Sequence, residues 1–417
     1  MMSLRTLAFA SLALVAGCST TTAVAQKGSQ PVALATLPRP LSAGEASAVS
    51  SANAFTFGLF SRIVAATPQD NVFTSPLSAS YALGMAMNGA NGATFDAMRS
   101  TLAFPASSNR QAIGESWSSL TALLTSLDAS TDVRIANSIW WRKEFPFSQA
   151  FIDEDKHWFG AEARALDFED AKSVTAINDW VSTATNGKIT SIMDAIPGDA
   201  VMFLVNALYF KGSWRDKFDA SLTTDAPFTT MAGSTQQVRM MHRSGDINYA
   251  EGSNWQAVEL PYGNEAWNMT VLLPKPGTSV NALAAQTDAS AFAAIVAALR
   301  AREVKLSLPR LTLEWERELT PDLQGMGMGV AFSDGADFSR MSPSQPVKIS
   351  SVKQKTFVKV DEEGTEAAAV TSVGVVATAA ILPIDFTVNR PFVLVIRERL
   401  TGTILFIGRI GSIPPAA

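Results

Sequence analysis

Few side chains in this 417-residue chain could do covalent chemistry, and their spacing excludes most of it. There are two histidines, His157 and His242, and one cysteine, Cys18. A hydroxyl nucleophile needs a histidine base beside it, oriented in turn by a third group. His157 lies in Asp155-Lys156-His157-Trp158 and His242 follows Met240-Met241, and the chain contains no Gly-x-Ser-x-Gly elbow. Both histidines read as surface or satisfied groups. Two distant histidines and one cysteine do not build a typical zinc site. Gly325-Met326-Gly327-Met328-Gly329 follows a helix-like stretch and not a strand, so it reads as a connector, not a dinucleotide loop. Asp334 and Asp337 lack the remaining ligands of a calcium loop. The chain does not read as an enzyme, and no metal or cofactor is expected.

One stretch stands out instead. Asp361-Glu362-Glu363-Gly364-Thr365-Glu366 leads into a run from Ala367 to Ile384 that carries no charge and is mostly small or β-branched. Such a segment can enter a sheet interior without clash, because it has nothing bulky or ionic to bury. Yet an acidic, glycine-containing hinge precedes it and Pro383 closes it, which are loop features. A strand-like segment between loop markers has two possible homes. Composition alone leaves three other readings open: a hairpin bent at Gly374, an alanine-rich core helix and a short membrane span. Val373, Val375, Val376 and Thr378 weigh against the helix, and the modest length and hydrophobicity weigh against the span.

The rest of the chain must supply the body that holds this segment. Apolar residues make up 47% and charged residues 17%, enough for a substantial core. Lys plus Arg against Asp plus Glu gives 33 − 38 = −5, with the basic residues scattered, so nucleic acid is not an expected partner. Phe55, Leu59, Phe60 and Ile63 share one helical face, predicting a helix to about Ala66. Val174, Ile177, Trp180, Val181 and Ala184 mark another, stopped at Asn186-Gly187. Val201 to Phe210 is a nearly continuous apolar run and reads as a central strand buried on both faces. Trp255 to Leu260, Met269 to Leu273 and Val304 to Leu311 read as further strands, and Phe392 to Ile396 with Thr403 to Ile410 as a hairpin around Leu400-Thr401-Gly402. Helices fall early and strands late without regular βαβ alternation, which predicts an α+β fold in one domain.

The N-terminus reads as a targeting segment. Arg5 precedes a short apolar run, Leu7 to Ala16, ending Leu14-Val15-Ala16-Gly17-Cys18. That ending resembles the lipobox of bacterial lipoproteins, cleaved before a cysteine that becomes lipidated. The expectation is a signal peptide over 1–17, lipidation at Cys18, a flexible tether over 18–48 and a folded domain over 49–415. Ordinary secretion, with cleavage after Ala23-Val24-Ala25, is the alternative. Residues 19 to about 41 carry the tether composition, and Ser42-Ala43-Gly44-Glu45 has the form of a capping box where the folded part begins. Either route places the mature protein outside the cytoplasm, membrane-anchored in the periplasm or at the cell surface, or secreted.

A set of ordered motifs is similar to one family, the serpins or serine protease inhibitors. Glu362-Glu363-Gly364-Thr365-Glu366-Ala367-Ala368-Ala369 resembles the family's reactive-loop hinge. Asn71-Val72-Phe73-Thr74-Ser75-Pro76-Leu77-Ser78, Gly89-Ala90-Asn91-Gly92-Ala93-Thr94, Asn206 through Trp214, Leu308-Pro309-Arg310 and Asn389-Arg390-Pro391-Phe392 resemble its other landmarks, in order, after residue 48. The resemblance implies a serpin fold of three β-sheets and eight to nine helices with an exposed reactive-centre loop. It also implies a monomer that acts as bait. A protease cleaves one loop bond and is trapped as the acyl-enzyme while the loop inserts into the sheet the family calls A. By family spacing the reactive bond falls at Thr378–Ala379, with Ala380 or Ile381 as alternatives. These residues are small or β-branched, which favours elastase-like or subtilisin-like serine proteases as targets. Ser75, Ser78, Asn206 and Trp214 match the region where sheet A opens, and Gln354 stands where many serpins carry histidine. A non-inhibitory serpin, acting as a substrate or binding module, is the runner-up. A charged or bulky residue at Thr365, Ala367 or Ala369 would favour it.

Overall fold

The computed structural model describes residues 30–365 and 382–415. Among them are nine α-helices: α1 (Ala43–Ala66), α2 (Pro76–Asn88), α3 (Gly92–Thr101), α4 (Arg110–Leu124), α5 (Gln149–Phe159), α6 (Lys172–Ala184), α7 (Val280–Gln286), α8 (Ala289–Ala298) and α9 (Thr320–Leu323). The strands are β1 (Val72–Thr74), β2 (Asp132–Arg142), β3 (Glu162–Leu166), β4 (Met202–Ser213), β5 (Thr224–Thr229), β6 (Thr235–Glu251), β7 (Trp255–Pro261), β8 (Trp267–Pro274), β9 (Arg300–Pro309), β10 (Leu311–Glu318), β11 (Lys353–Val360), β12 (Gly364–Thr365), β13 (Ile384–Thr387), β14 (Phe392–Glu398) and β15 (Ile404–Ile410).

The α+β class follows from how these elements bury their apolar faces. Phe55, Leu59, Phe60 and Ile63 of α1 are all buried, and the helix opens on the capping box read from the sequence. Ser42 accepts from the Glu45 amide at 3.1 Å, and the Glu45 carboxylate accepts from the Ser42 amide at 2.7 Å. The strands form two hydrogen-bonded networks. One runs β1-β15-β14-β8-β7-β6-β9-β13, with β5 on β6. The other, six-stranded, runs β10-β11-β12-β4-β2-β3. The 17-residue β6 explains why two of the expected three sheets are continuous: it pairs with β9 along Met240–Tyr249 and with β7 along Asn248–Glu251.

Three expectations differ from the structure, each for a physical reason. The apolar run Val304 to Leu311 is two strands in different sheets, because the chain breaks at Pro309-Arg310 and passes from β9 to β10. The tether expected over 18–48 does not extend over 31–48: α1 starts at Ala43, and residues 31–41 lie against the body. Leu34, Leu37 and Leu41 pack on the core, the Leu34 amide donates to Asn264 O at 2.7 Å, and Arg215 Nη1 donates to Pro31 O at 2.9 Å. The leucines supply the apolar contact that the Ser/Thr/Pro composition concealed. Finally, β4 is not buried throughout. Its first residues, Met202 to Leu204, are half-buried, whereas Ala207 to Phe210 are buried. Among the described residues no strand pairs with that side of β4 there.

Candidate functional site

That side of β4 defines the site. In the six-stranded sheet β4 and β11 are connected, among the described residues, through β12, Gly364–Thr365. Thr365 pairs antiparallel with Val360 of β11 and with Gly212 of β4, and Gly364 pairs with Ser213. Beyond this short strand, no ladder joins β4 to β11 among the described residues. Directly beneath Thr365 lies a small hollow of about 20 Å³, lined by Leu208, Tyr209, Phe210, Phe357 and Val358. Farther along, Met202 to Asn206 of β4 and Lys353 to Lys355 of β11 face each other across a cleft of about 420 Å³. Helix α6 lies over this region, with Ile177 and Val181 packed in a cluster with Trp140, Val205 and Phe357. Among the described residues neither strand edge is paired along this cleft, and such edges accept an extended segment by adding it to the ladder.

The segment that leads into the cleft is held in place residue by residue. The chain reverses after β11 through a tight turn in which Asp361 N donates to Gly364 O at 3.0 Å. Gly364 has φ +152, and a Cβ there would lie 2.1 Å from Gly212 O, so glycine is required. Trp214 N donates to Glu363 O at 2.8 Å, and Trp214 Nε1 donates to Asp361 O at 2.8 Å. Phe218 N donates to Glu362 O at 3.0 Å. The Glu362 side chain is buried and bonded to Arg310 at 2.7–2.9 Å and to the Thr223 hydroxyl. Burial pushes its carboxyl up, but the Arg310 guanidinium and the Thr223 hydroxyl outweigh burial and hold it below the ordinary glutamate range. Glu363 pairs with Lys217 at 2.5 Å. Thr365 is 3% exposed and shares a hydrogen bond of 2.7 Å with the Tyr262 hydroxyl.

Of the sheet-opening residues, the structure brings three together and separates two. Gln354 Oε1 accepts from Thr74 Oγ1 at 2.6 Å and from Ser75 N at 3.0 Å, while its Nε2 donates to Ser75 O at 2.7 Å. Ser75 Oγ donates to Leu405 O at 2.7 Å and accepts from Ser78 N at 3.3 Å. Asn206 stands on the β4 side of the cleft and donates to Asn137 Oδ1 at 2.7 Å; its own Oδ1 is buried without a partner. Trp214 does not belong to this cluster. It sits at the hinge, beside Tyr262, because β4 carries it past the far end of the sheet. Arg310, Thr223 and Tyr262 escaped the reading of the sequence as site residues, since none lies in a periodic or motif-like context of its own; only Arg310 fell inside a quoted landmark. Hinge residues Glu366, Ala367, Ala368 and Ala369, the reactive-bond candidates Thr378, Ala379, Ala380 and Ile381, and Cys18 lie outside the described residues. The chain re-emerges at Leu382, which is 88% exposed, and β13 then pairs in parallel with β9.

Catalytic groups do not converge here. His242 Nδ1 meets Ser307 Oγ at 2.9 Å, but its Nε2 faces the Thr224 hydroxyl at 3.1 Å and not an orienting carboxylate. His157 is exposed on α5. Among the described residues no three His, Cys, Asp or Glu side chains gather as a metal site.

This geometry has known counterparts. The family model described as Serpin (serine protease inhibitor) matches residues 50–413. The chain belongs to the serpin family. An uncharacterized serpin-like protein of Thermococcus kodakarensis is 34% identical over 371 residues, covering 87% of this chain and 85% of the relative. The human leukocyte elastase inhibitor is 34% identical over 381 residues, covering 87% and 99%. Human thyroxine-binding globulin, solved in complex with thyroxine, superposes with a TM-score of 0.83 at 28% identity, over 89% of this chain and 100% of that one. In this serpin, β10-β11-β12-β4-β2-β3 is therefore sheet A, and Gly364–Thr365 is the start of the strand that the resemblance predicts will extend it.

Proposed function

We propose that this serpin inhibits serine endopeptidases as a suicide substrate, with the loop after Thr365 cleaved at Thr378–Ala379 and then drawn into sheet A. The observation that carries the reading is the seating of Gly364–Thr365 between β4 and β11, above a cleft of about 420 Å³. Filling the gap along the eight residues of β11 and the facing part of β4 would add on the order of ten main-chain hydrogen bonds. At about 0.5–1.5 kcal/mol each, this is on the order of 10 kcal/mol, before any apolar burial at ~25 cal/mol per Å². The side chains that would enter, Thr365, Ala367, Ala369, Thr371 and Val373, are small and uncharged. Small or β-branched residues about the reactive bond favour elastase-like or subtilisin-like targets. The likeness to an elastase inhibitor runs in the same direction. The protein acts as a monomer outside the cytoplasm, tethered by a lipid at Cys18.

The second reading is a non-inhibitory serpin that serves as a substrate or binding module, favoured by the likeness to thyroxine-binding globulin. One experiment separates the two. The protein is incubated with an elastase and with a subtilisin and run on a denaturing gel. The released C-terminal peptide is then weighed. The inhibitory reading expects a detergent-resistant adduct and a peptide beginning at Ala379. Clean turnover to a nicked chain that melts no later than the intact one refutes it.

A further inference from the structure

We infer that the Tyr262 hydroxyl is a latch that seats Thr365 in sheet A before any cleavage, and that this seating sets the share of protease encounters that end in trapping. The inference rests on the inhibitory reading above and names a positioning residue for it. Tyr262 is fully buried, and its hydroxyl bonds the Thr365 hydroxyl at 2.7 Å. Its ring cannot turn away. It stacks on Trp214 with centroids 4.4 Å apart and planes 14° apart, and meets Phe210 edge-on at 5.0 Å. Its amide donates to Trp267 O at 2.8 Å. The ring reaches the hinge because Gly212 leaves room: a Cβ there would lie 2.9 Å from Tyr262 Cδ1. Trp214 and Tyr262, stacked face to face, thus bond Asp361, Glu363 and Thr365.

A buried tyrosine must satisfy its hydroxyl somewhere, and a purely structural tyrosine would serve as well with a carbonyl of the body. Here the partner is Thr365, the residue at which the chain enters the sheet between Val360 of β11 and Gly212 of β4, so the bond fixes the point from which insertion would start. Insertion that starts from a seated Thr365 extends an existing strand. If it starts from a released hinge, it must first order that residue's backbone and find its register, which has an entropic cost. Loop entry races hydrolysis of the acyl-enzyme, so any loss of the seated population appears as extra turnover.

The test compares wild type, Tyr262→Phe, Thr365→Val, the double variant and Thr365→Ser against whichever protease the wild type traps, measuring inhibitor molecules consumed per protease trapped. A hydrogen bond of ordinary net worth predicts that either single variant raises this stoichiometry by about two- to tenfold. The double variant is no worse than the poorer single, and Thr365→Ser, which keeps the hydroxyl, stays near wild type. Should Tyr262→Phe fail to fold, Thr365→Val and Thr365→Ser carry the comparison alone. Unchanged stoichiometry in Thr365→Val, or single effects that multiply in the double variant, overturns the latch while leaving the inhibitory reading intact. A wild type that forms no adduct overturns both.

Discussion

Replacing Thr365 with arginine tests the inserting strand at its first residue. Thr365 is 3% exposed, paired on both sides and bonded to Tyr262. The hollow beneath it holds only about 20 Å³, too little for a guanidinium, and Lys188 and Lys359 stand on its rim, so an added cation meets like charge. Overpacking costs about 1–3 kcal/mol and an unpaired buried charge several more, together roughly 4 kcal/mol or above. This is less than the ~10 kcal/mol available from complete insertion, at 0.5–1.5 kcal/mol per rung. The order of events decides the outcome. Position 365 is already seated in the intact protein, so the arginine unseats it and its cost falls on re-entry, before any later rung compensates. At 1.36 kcal/mol per factor of ten, insertion slows by roughly 10³-fold and hydrolysis of the acyl-enzyme wins. Thr365→Arg should therefore be cut at the same bond as wild type but run on a denaturing gel as nicked chain without adduct, and nicking should not raise its melting temperature. Adduct formation by Thr365→Arg at the wild-type yield would refute insertion through β12.

Three further substitutions probe the body that holds the site. Gln354→Ala removes the partner of Thr74 Oγ1, Ser75 N and Ser75 O in a buried cluster; orphaned groups cost about 1–3 kcal/mol each and do not add fully, so urea titration should show a loss of about 2–4 kcal/mol in the intact protein. Asp155 is fully buried with one bond from Asn88 Nδ2 at 3.0 Å, while its Oδ2 and the Asn88 Oδ1 lack partners. Burial pushes its carboxyl well above the ordinary aspartate range, and nearby Glu154 adds to the rise. The folded state then binds the proton more tightly than the unfolded one, so this contribution is complete below about pH 4 and is lost as pH rises toward the folded value. Asp155→Asn should flatten that slope and stabilise the protein at pH 8 by about 1–3 kcal/mol in thermal or urea unfolding. Glu45 is held down to about 2, chiefly by Arg39, despite its burial. A depressed carboxylate contributes stability above its unfolded value, and this is lost as pH falls toward 2. Arg39 is 43% exposed, so screening limits the pair, and Arg39→Ala should lower the melting temperature only slightly at pH 7. The difference from wild type should close by pH 2.

What was legible in the sequence was what local pattern encodes. The capping box of α1, the buried face of Phe55, Leu59, Phe60 and Ile63, and the hinge with its small uncharged sequel all declare themselves through neighbours within a few residues. The apolar run of β4 was legible as a strand but not as a half-open one, because a missing neighbour leaves no mark on the strand that lacks it. For the same reason Leu34, Leu37 and Leu41 did not betray that residues 31–41 lie on the body. Tyr262 lies farthest beyond such reasoning: Pro261-Tyr262-Gly263 has no period and no motif, and its role exists only where β7 ends beside Trp214 and Thr365.

The two kinds of information divide along a physical line. A segment able to change its surroundings must carry that ability in its own residues, since it has to be tolerable both in water and between two strands; hence it can be read locally. The edges that receive it need only be left unpaired by everything else, and that condition is set by the whole topology. Among the described residues β4 and β11, far apart in the chain, offer such edges on either side of Gly364–Thr365. A substitution in the segment should therefore alter whether insertion happens, as at Thr365. A substitution in the clamp around it, at Tyr262, Trp214 or Arg310, should alter how often insertion wins its race with hydrolysis while leaving the cleaved bond unchanged.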